Sequence, residues 1–154
     1  MLFSLLKTLH ILACLLWVGG MFFAYVALRP VAAQLLELPL RLQLWVQVFK
    51  KFFPWVWVAI FSLLVTGIGI IHLYGGMAQV QWHVHLMLLT GLSMMVIFIH
   101  IFFILYQRLQ EAVKTQDWQT GGLRLGQIRR LIGINLTLGL VTVVIASLGK
   151  SVFM

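Results

Sequence analysis

The chain alternates between four long runs of apolar residues and shorter polar segments that connect them. Each run reaches the roughly 20 residues that a helix needs to cross the hydrocarbon core of a bilayer. We therefore predict four membrane-spanning helices, at about residues 9–28, 52–73, 86–106 and 131–148. The expected fold is all-α, an integral membrane four-helix bundle in which residues 1–154 form a single domain.

The segment between the first two spans contains two prolines that act as boundaries. Arg29-Pro30 is expected to end the first helix, because the proline ring disfavours helical geometry at the residue before it. Pro39 suits the first turn of a new helix, in which Leu40 and Trp45 belong to a set of apolar residues at helical spacing. We expect this helix to lie at the cytoplasmic interface or to lead directly into span two.

The segment between the last two spans also has helical character. Helix three is expected to continue past the membrane, because charged residues follow its apolar run at helical spacing. Asp117 and Thr120 are candidate caps for the next helix, and Gly121-Gly122 is a candidate break.

Composition and charge support a membrane protein and set its orientation. The chain is 62% hydrophobic and 9% charged, whereas about a quarter of the residues in soluble domains are charged. A net charge of +8 would indicate nucleic acid for a soluble protein, but here the basic residues flank helices, so no nucleic-acid partner is expected. They cluster in the two connections described above, while the opposite side carries only Lys7 and Lys150. We predict cytoplasmic connections, periplasmic N and C termini and location in the bacterial inner membrane.

Several classes of chemistry are not expected. Cys14 is the only cysteine and falls inside span one, so a disulfide framework or a Cys-based zinc or iron–sulfur site is not available. The three acids, Glu37, Glu111 and Asp117, all lie in connections, so no buried carboxylate pair can be drawn. Phosphate-binding glycine loops and nucleophile elbows are also missing, which makes hydrolysis an improbable activity.

Four of the five histidines fall at the same predicted rim of the bundle: His10, His72, His83 and His85. Rim histidines can simply face headgroups or water, but imidazole is also a common ligand of haem iron and copper. His10 and His85 best fit a ligand pair, because each enters its apolar run from the same side. His72 stays an alternative partner, and His83 lies about 200° around the helix from His85.

His100 differs from the others because it lies near the inner face, roughly 22 Å along the helix from His85. We expect it to form a secondary polar site with Asn135 and Tyr25. No other histidine is predicted at that depth, so a second haem is less well supported than a single one.

Small and soft residues add two more candidate features. Gly20, three residues after Trp17, belongs to a group of glycines that would let helices, or a flat macrocycle, approach the backbone. Five methionines offer thioethers that could bind copper(I), with core filling as the alternative: Met21, Met77, Met87, Met94 and Met95.

Several segments resemble known families. The segments KTLHILACLLWVGGMFFAYVALRP, VHLMLLTGL, IFIHIFF and LGQIRRLIGINLTLGL are together similar to the small bacterial membrane proteins of the copper-resistance protein D family. The pattern of Lys7, His10, Trp17 and Gly20 also resembles the haem-containing bacterial protoporphyrinogen oxidases, which implies that His10 is a haem-site residue. The later-helix lysine of that family has no counterpart in spans two to four except Lys150, so its oxidase activity is not implied.

The leading hypothesis is a protein that binds haem b between His10 and His85 and transfers electrons to or from a quinone or a periplasmic redox partner. Bis-histidine ligation leaves the iron no open position, which favours electron transfer and leaves a haem-dependent oxidoreductase activity undecided. The alternative is a copper-binding or copper-transport protein whose entry site uses the outer histidines with Met77 or Met87. A third hypothesis is a non-catalytic assembly partner of another membrane complex. Membrane lipid is an expected partner, and the sequence does not decide whether the protein forms homo-oligomers.

Overall fold

The computed structural model describes residues 1–149, which contain helices and turns but no strand. Four helices are long and apolar enough to cross a membrane: helix one Leu2–Leu35, helix two Leu38–Leu73, helix three Trp82–Lys114 and helix four Trp118–Leu148. This confirms the all-α fold with four membrane-spanning helices. The predictions that concern Lys150 and the C-terminus lie outside the described residues.

Helix one does not end at Pro30, so that prediction was wrong. It consists of α-helix Leu2–Phe22, a π-helical turn Phe23–Leu28 and α-helix Arg29–Leu35. In the π-helical turn the Arg29 N–H donates to the Ala24 carbonyl, five residues back. Pro30 therefore falls in the first turn of the next α-helical segment, where a residue without an N–H and with a fixed φ is tolerated.

Helix two is a single α-helix, Leu38–Leu73. Pro39 lies in its first turn as predicted, but the expected interfacial helix is not a separate element, because that segment leads directly into span two. The sequence gives the reason. No glycine occurs in helix two before Gly67. Pro54 lies inside the continuous helix, as membrane helices tolerate when neighbouring groups satisfy the freed backbone carbonyl.

Helix three extends past the predicted span and consists of α-helix Trp82–His100, a π-helical turn Ile101–Tyr106 and α-helix Gln107–Lys114. Asp117 caps helix four, because its Oδ1 accepts a hydrogen bond from the Thr120 backbone N–H at 3.1 Å. The predicted break at Gly121-Gly122 is absent. Gly121 instead lies within helix four against helix two, where an added Cβ would be 2.8 Å from Cδ1 of Leu42.

The bundle has two ends with different character. Helix one packs mainly on helix two, and helix three packs mainly on helix four. The basic end, which contains the connections after helices one and three, is filled by aromatic rings such as Phe49 and Phe53, stacked at 4.9 Å, with Tyr106 edge-on to both. The opposite end, which we call the histidine end, contains the start of helix one and the connection between helices two and three.

Candidate metal centre at the histidine end

His10 is half-buried in helix one and faces helix two. Its Nδ1 lies 2.8 Å from Oγ1 of Thr66. The Thr66 hydroxyl donates its own hydrogen to the Ser62 carbonyl, so it accepts a hydrogen from His10 Nδ1. The proton on Nδ1 leaves the lone pair of the imidazole on Nε2, which is the tautomer of a histidine prepared to bind a metal.

Helices one and two pack closely beside this hydrogen bond, and the tighter approach is at Gly69. A Cβ added at Gly67 would lie 3.5 Å from His10 Cε1, and one added at Gly69 would lie 3.1 Å from Cδ1 of Leu6. Thr66 is only 3% exposed. The hydrogen bond therefore lies in a packed helix interface, where lipid and water compete weakly for it.

His83 is the buried histidine of helix three, with 8% of its surface exposed. Its ring packs on the end of helix four, where a Cβ added at Gly149 would be 2.7 Å from Cγ of His83. Its Nδ1 is buried and has no hydrogen-bond partner within residues 1–149. A buried polar atom without a partner costs free energy, so Nδ1 of His83 is a candidate ligand atom.

Contacts in the middle of the bundle place His10 and His83 at similar depths. Val18 of helix one and Met94 of helix three both pack against Gly139 of helix four. At 1.5 Å of rise per residue, His10 lies about 12 Å and His83 about 16 Å from that level towards the same end. The two rings therefore differ in depth by roughly one helical turn at most.

Soft and polar side chains continue from both histidines along the inner faces of their helices. Cys14 is half-buried one turn below His10, and Met21 is buried two turns further on. In helix three, Met87 is half-buried and Met94 is buried. Each of these two helices thus carries its own series of imidazole and sulfur groups from the histidine end to the middle of the bundle.

Within residues 1–149, the structure shows no hydrogen bond or ring contact between the histidines that the sequence analysis paired. His85 and His72 are exposed on the outer faces of their helices, and neither side chain has a hydrogen bond within the described chain. His10 instead faces helix two, so His85 is not brought to it. Helical spacing could have revealed the buried face of helix three, since His83, Met87 and Met94 fall on one side of an α-helix.

The predicted secondary polar site does not assemble either. Asn135 is 2% exposed and donates from Nδ2 to the Met94 carbonyl at 3.1 Å, while its Oδ1 has no partner in the described residues. His100 is exposed. Tyr25 packs on Gly133 and lies under the guanidinium of Arg29, 4.8 Å from its ring centre.

The space beside Gly20, where a flat macrocycle was considered, is already occupied. The ring of Phe52 contacts the position that a Gly20 side chain would take. Trp17 is buried, and its ring is edge-on to Phe98 at 6.3 Å. Both residues serve helix packing in this arrangement.

Residues 1–149 contain no group of three or more His, Cys, Asp or Glu side chains placed to hold a metal ion. Imidazole, thiolate and thioether groups in small number are the ligands that suit copper(I).

Comparison with known protein families matches residues 46–148 to copper resistance protein D. Searches among curated proteins and among solved structures each found no match. The family match supports neither the resemblance to protoporphyrinogen oxidases nor a haem site. It covers more than half of the chain, from helix two to the end of helix four, and it agrees with a multi-pass bacterial membrane protein. The chain belongs to the copper resistance protein D family.

Proposed function

We propose that the protein binds copper(I) at its histidine end and passes the ion towards the middle of the membrane. The observation that carries the proposal is the 2.8 Å contact between His10 Nδ1 and Oγ1 of Thr66. Because the Thr66 hydrogen is engaged by the Ser62 carbonyl, Nε2 of His10 is the nitrogen left free to bind a metal. The family is named for copper resistance, and this is our reason for choosing copper among the metals that imidazole binds.

The first ligands in this proposal are Nε2 of His10 and the unpartnered Nδ1 of His83. Two nitrogen ligands satisfy copper(I), which accepts low coordination numbers, and an exposed rim lets the ion enter. Cys14 and Met87 lie one turn deeper, each on the same helix face as the histidine above it. Exchange from imidazole to these sulfur ligands would move the ion inward without leaving it bare in hydrocarbon.

The distribution of basic residues supports entry from the periplasm. Basic residues favour the cytoplasmic side, and the histidine end is opposite to them. The test uses Gln79→Cys, in the connection between helices two and three, and Gln119→Cys, exposed in the first turn of helix four, in a Cys14→Ser background. We expect a membrane-impermeant maleimide added to spheroplasts to label only the first. Labelling of the second alone would reverse the orientation and the direction of entry.

A bis-histidine haem between His10 and His85 has less support. His85 is exposed on the outer face of helix three, and Phe52 fills the space beside Gly20. Electron transfer to a quinone or a periplasmic redox partner depends on that haem, so we do not propose it. An absorption spectrum of the purified protein with a Soret band would restore the haem hypothesis.

Titration of the purified full-length protein with copper(I), against a chromophoric chelator, tests the copper proposal. We expect one high-affinity site that His10→Ala and His83→Ala each weaken at least about tenfold, as loss of one of few ligands should. His85→Ala and His72→Ala are matched controls, since both histidines are exposed at the same end. Unchanged affinity in His10→Ala, with the protein still folded, would overturn the proposal.

A further inference from the structure

The basic end of the bundle brings together arginines from three helices. Arg29 of helix one and Arg41 of helix two, both cations, lie near enough to Arg129 of helix four to repel it, while Tyr25 acts on Arg129 in the opposite sense. Ala24, Tyr25, Arg29 and Arg129 also line one small pocket, together with residues of helix two. Like charges repel at short range and more strongly in a low dielectric, so this arrangement is unfavourable unless an anion offsets it.

The described residues, 1–149, do not supply that anion. In the part of the chain that the structure describes, no carboxylate lies within ion-pair distance of these guanidinium groups. The Nε atoms of Arg41 and Arg129 are buried, and neither has a hydrogen-bond partner within residues 1–149. Buried guanidinium donors without partners are rare because their desolvation is costly.

An open groove begins beside this cluster and runs along the surface between helices one and four. Its volume is about 370 Å³, and Arg130 and Tyr25 lie at its basic rim. Below the rim the lining is mostly apolar or small: Gly133, Ile134, Leu136, Thr137 and Leu140. Tyr25 belongs to both the groove and the arginine pocket, so the two features are continuous.

We propose that this end of the bundle binds an anionic phospholipid, with its phosphate on Arg29, Arg129 and Arg130 and one acyl chain in the groove. Guanidinium groups match phosphate oxygens in two-point hydrogen bonds and hold them better than an ammonium does. Basic pockets between membrane helices on the cytoplasmic side are typical sites for such lipids. A zwitterionic lipid carries a compensating cation and so offsets the arginine charges less well.

This site is separate from the copper proposal and stands or falls without it. The arginines and the groove lie at the basic end, whereas the histidines lie at the opposite end. Loss of the lipid site should leave copper(I) affinity unchanged, and His10→Ala should leave lipid binding unchanged.

Thermal unfolding of the full-length protein in detergent provides the test. Phosphatidylglycerol, phosphatidylcholine with the same acyl chains, and inorganic phosphate are added separately. We expect phosphatidylglycerol to raise Tm by several degrees and the other two to have at most a small fraction of that effect. Equal stabilisation by phosphatidylcholine would indicate general lipid solvation, and equal stabilisation by phosphate a free-anion site; either result would overturn the proposal.

Variants then locate the site. Arg29→Gln with Arg129→Gln should remove most of the phosphatidylglycerol effect, and Thr137→Trp should reduce it by filling the groove. The control is Arg108→Gln, an exposed arginine of helix three at the same end, which should keep the full effect. A loss as large in the control would show that total charge, and not this site, is responsible.

Native mass spectrometry keeps the test decisive if the double variant does not fold. The wild-type protein should retain one phosphatidylglycerol after delipidation, and Arg129→Lys, which keeps the charge but not the two-point geometry, should bind it at least about fivefold more weakly. Wild-type protein that retains no lipid, or retains phosphatidylcholine equally, would contradict the proposal.

Discussion

The imidazole Nδ1 of His10 and the hydroxyl of Thr66, on the first two helices, lie 2.8 Å apart. The Thr66 hydroxyl has its hydrogen engaged by the Ser62 carbonyl, which favours the His10 tautomer that donates from Nδ1. This relationship orders the ring in a helix interface and chooses which ring nitrogen is free. Thr66, which is not a proposed ligand, thereby controls the ring orientation and the tautomer of His10, which is one.

Replacement of Thr66 tests this control. Thr66→Val keeps the shape but removes the acceptor for His10, and we expect copper(I) affinity to fall about 10–100-fold, the usual effect of losing the group that orients a ligand. Thr66→Ser keeps a hydroxyl and should recover most of the affinity. Competition with a chromophoric copper(I) chelator measures both.

The matched control for Thr66 is Thr8→Val. Thr8 is exposed at the same end and donates only to the Ser4 carbonyl of its own helix, so its loss should leave copper(I) affinity unchanged. If Thr66→Val and Thr8→Val have the same small effect, the hydrogen bond to His10 does not prepare a metal ligand.

Packing at Gly139 supports the second prediction. A Cβ there would lie 2.8 Å from Cγ2 of Val18 and 3.2 Å from Cε of Met94, so Gly139→Ala should separate helices one, three and four locally. We expect a loss of about 1–3 kcal/mol in the free energy of unfolding, the usual range for overpacking. Unfolding in mixed micelles gives the measurement.

Gly126→Ala is the control for Gly139, because both glycines belong to helix four and nothing lies within 4 Å of a Cβ at Gly126. Alanine favours the helix by up to about 1 kcal/mol over glycine, so this variant should be as stable as the wild type or more stable. Destabilisation of both variants to the same extent would mean that glycine flexibility, and not close packing, is what Gly139 provides.

The apolar runs were sufficient to predict four spans because a bilayer demands long helices without charges. Local breakers were less informative. Pro30 and Gly121 both predicted helix ends, yet one follows a π-helical turn and the other provides a close approach to Leu42. Sequence alone does not distinguish a proline or glycine that ends a helix from one that a neighbouring turn or helix accommodates.

The candidate site was predictable in part. His10 was identified because an ionisable residue at membrane depth is costly without a role, but its hydrogen-bond partner Thr66 was not, since threonine is common in membrane helices and usually bonds its own backbone. His85 was preferred to His83 on depth, although depth is nearly the same for both. The distinction lay in the helix face, and the methionines that share the face of His83 carried that signal.

The cap of helix four gives a pH-dependent prediction. Hydrogen bonds from the side chain and the backbone N–H of Thr120 hold the pKa of the Asp117 carboxyl below its ordinary value. Its stabilising effect is therefore fully present above the ordinary pKa of about 3.9 and is lost as pH falls through the lower, folded-state pKa. Asp117→Asn caps without titrating, so this variant should lack that acid-induced loss of stability.

Thermal unfolding at a series of pH values from about 2 to 7 measures the difference between wild type and Asp117→Asn. The difference in Tm should be constant above the ordinary carboxyl pKa of about 3.9. Below that pH the wild type should lose stability relative to Asp117→Asn. Asp117→Ala should be less stable at every pH above this range because the cap itself is missing. A difference that changes near neutral pH instead would assign the pH dependence to another group.

Asn135 and His100 provide the last prediction, because the sequence suggested that they bond and the structure gives Asn135 another partner. Asn135 donates to the Met94 carbonyl, and its buried Oδ1 is unpartnered within residues 1–149. Asn135→Leu keeps the branched shape, loses a membrane hydrogen bond worth roughly 0.6 kcal/mol and also removes the unpartnered oxygen, whose burial costs about 1–3 kcal/mol. The net change should be an increase in stability.

His100→Ala should change the free energy of unfolding by less than about 0.5 kcal/mol, as expected for an exposed side chain without a partner. If the two residues were bonded, both variants would lose stability, and the double variant would lose less than the sum of the two. A coupling energy near zero in this double-mutant cycle, together with a stabilised Asn135→Leu, would establish that Asn135 and His100 do not interact. It would agree with a buried Asn135 and with a His100 side chain that faces outward from the bundle.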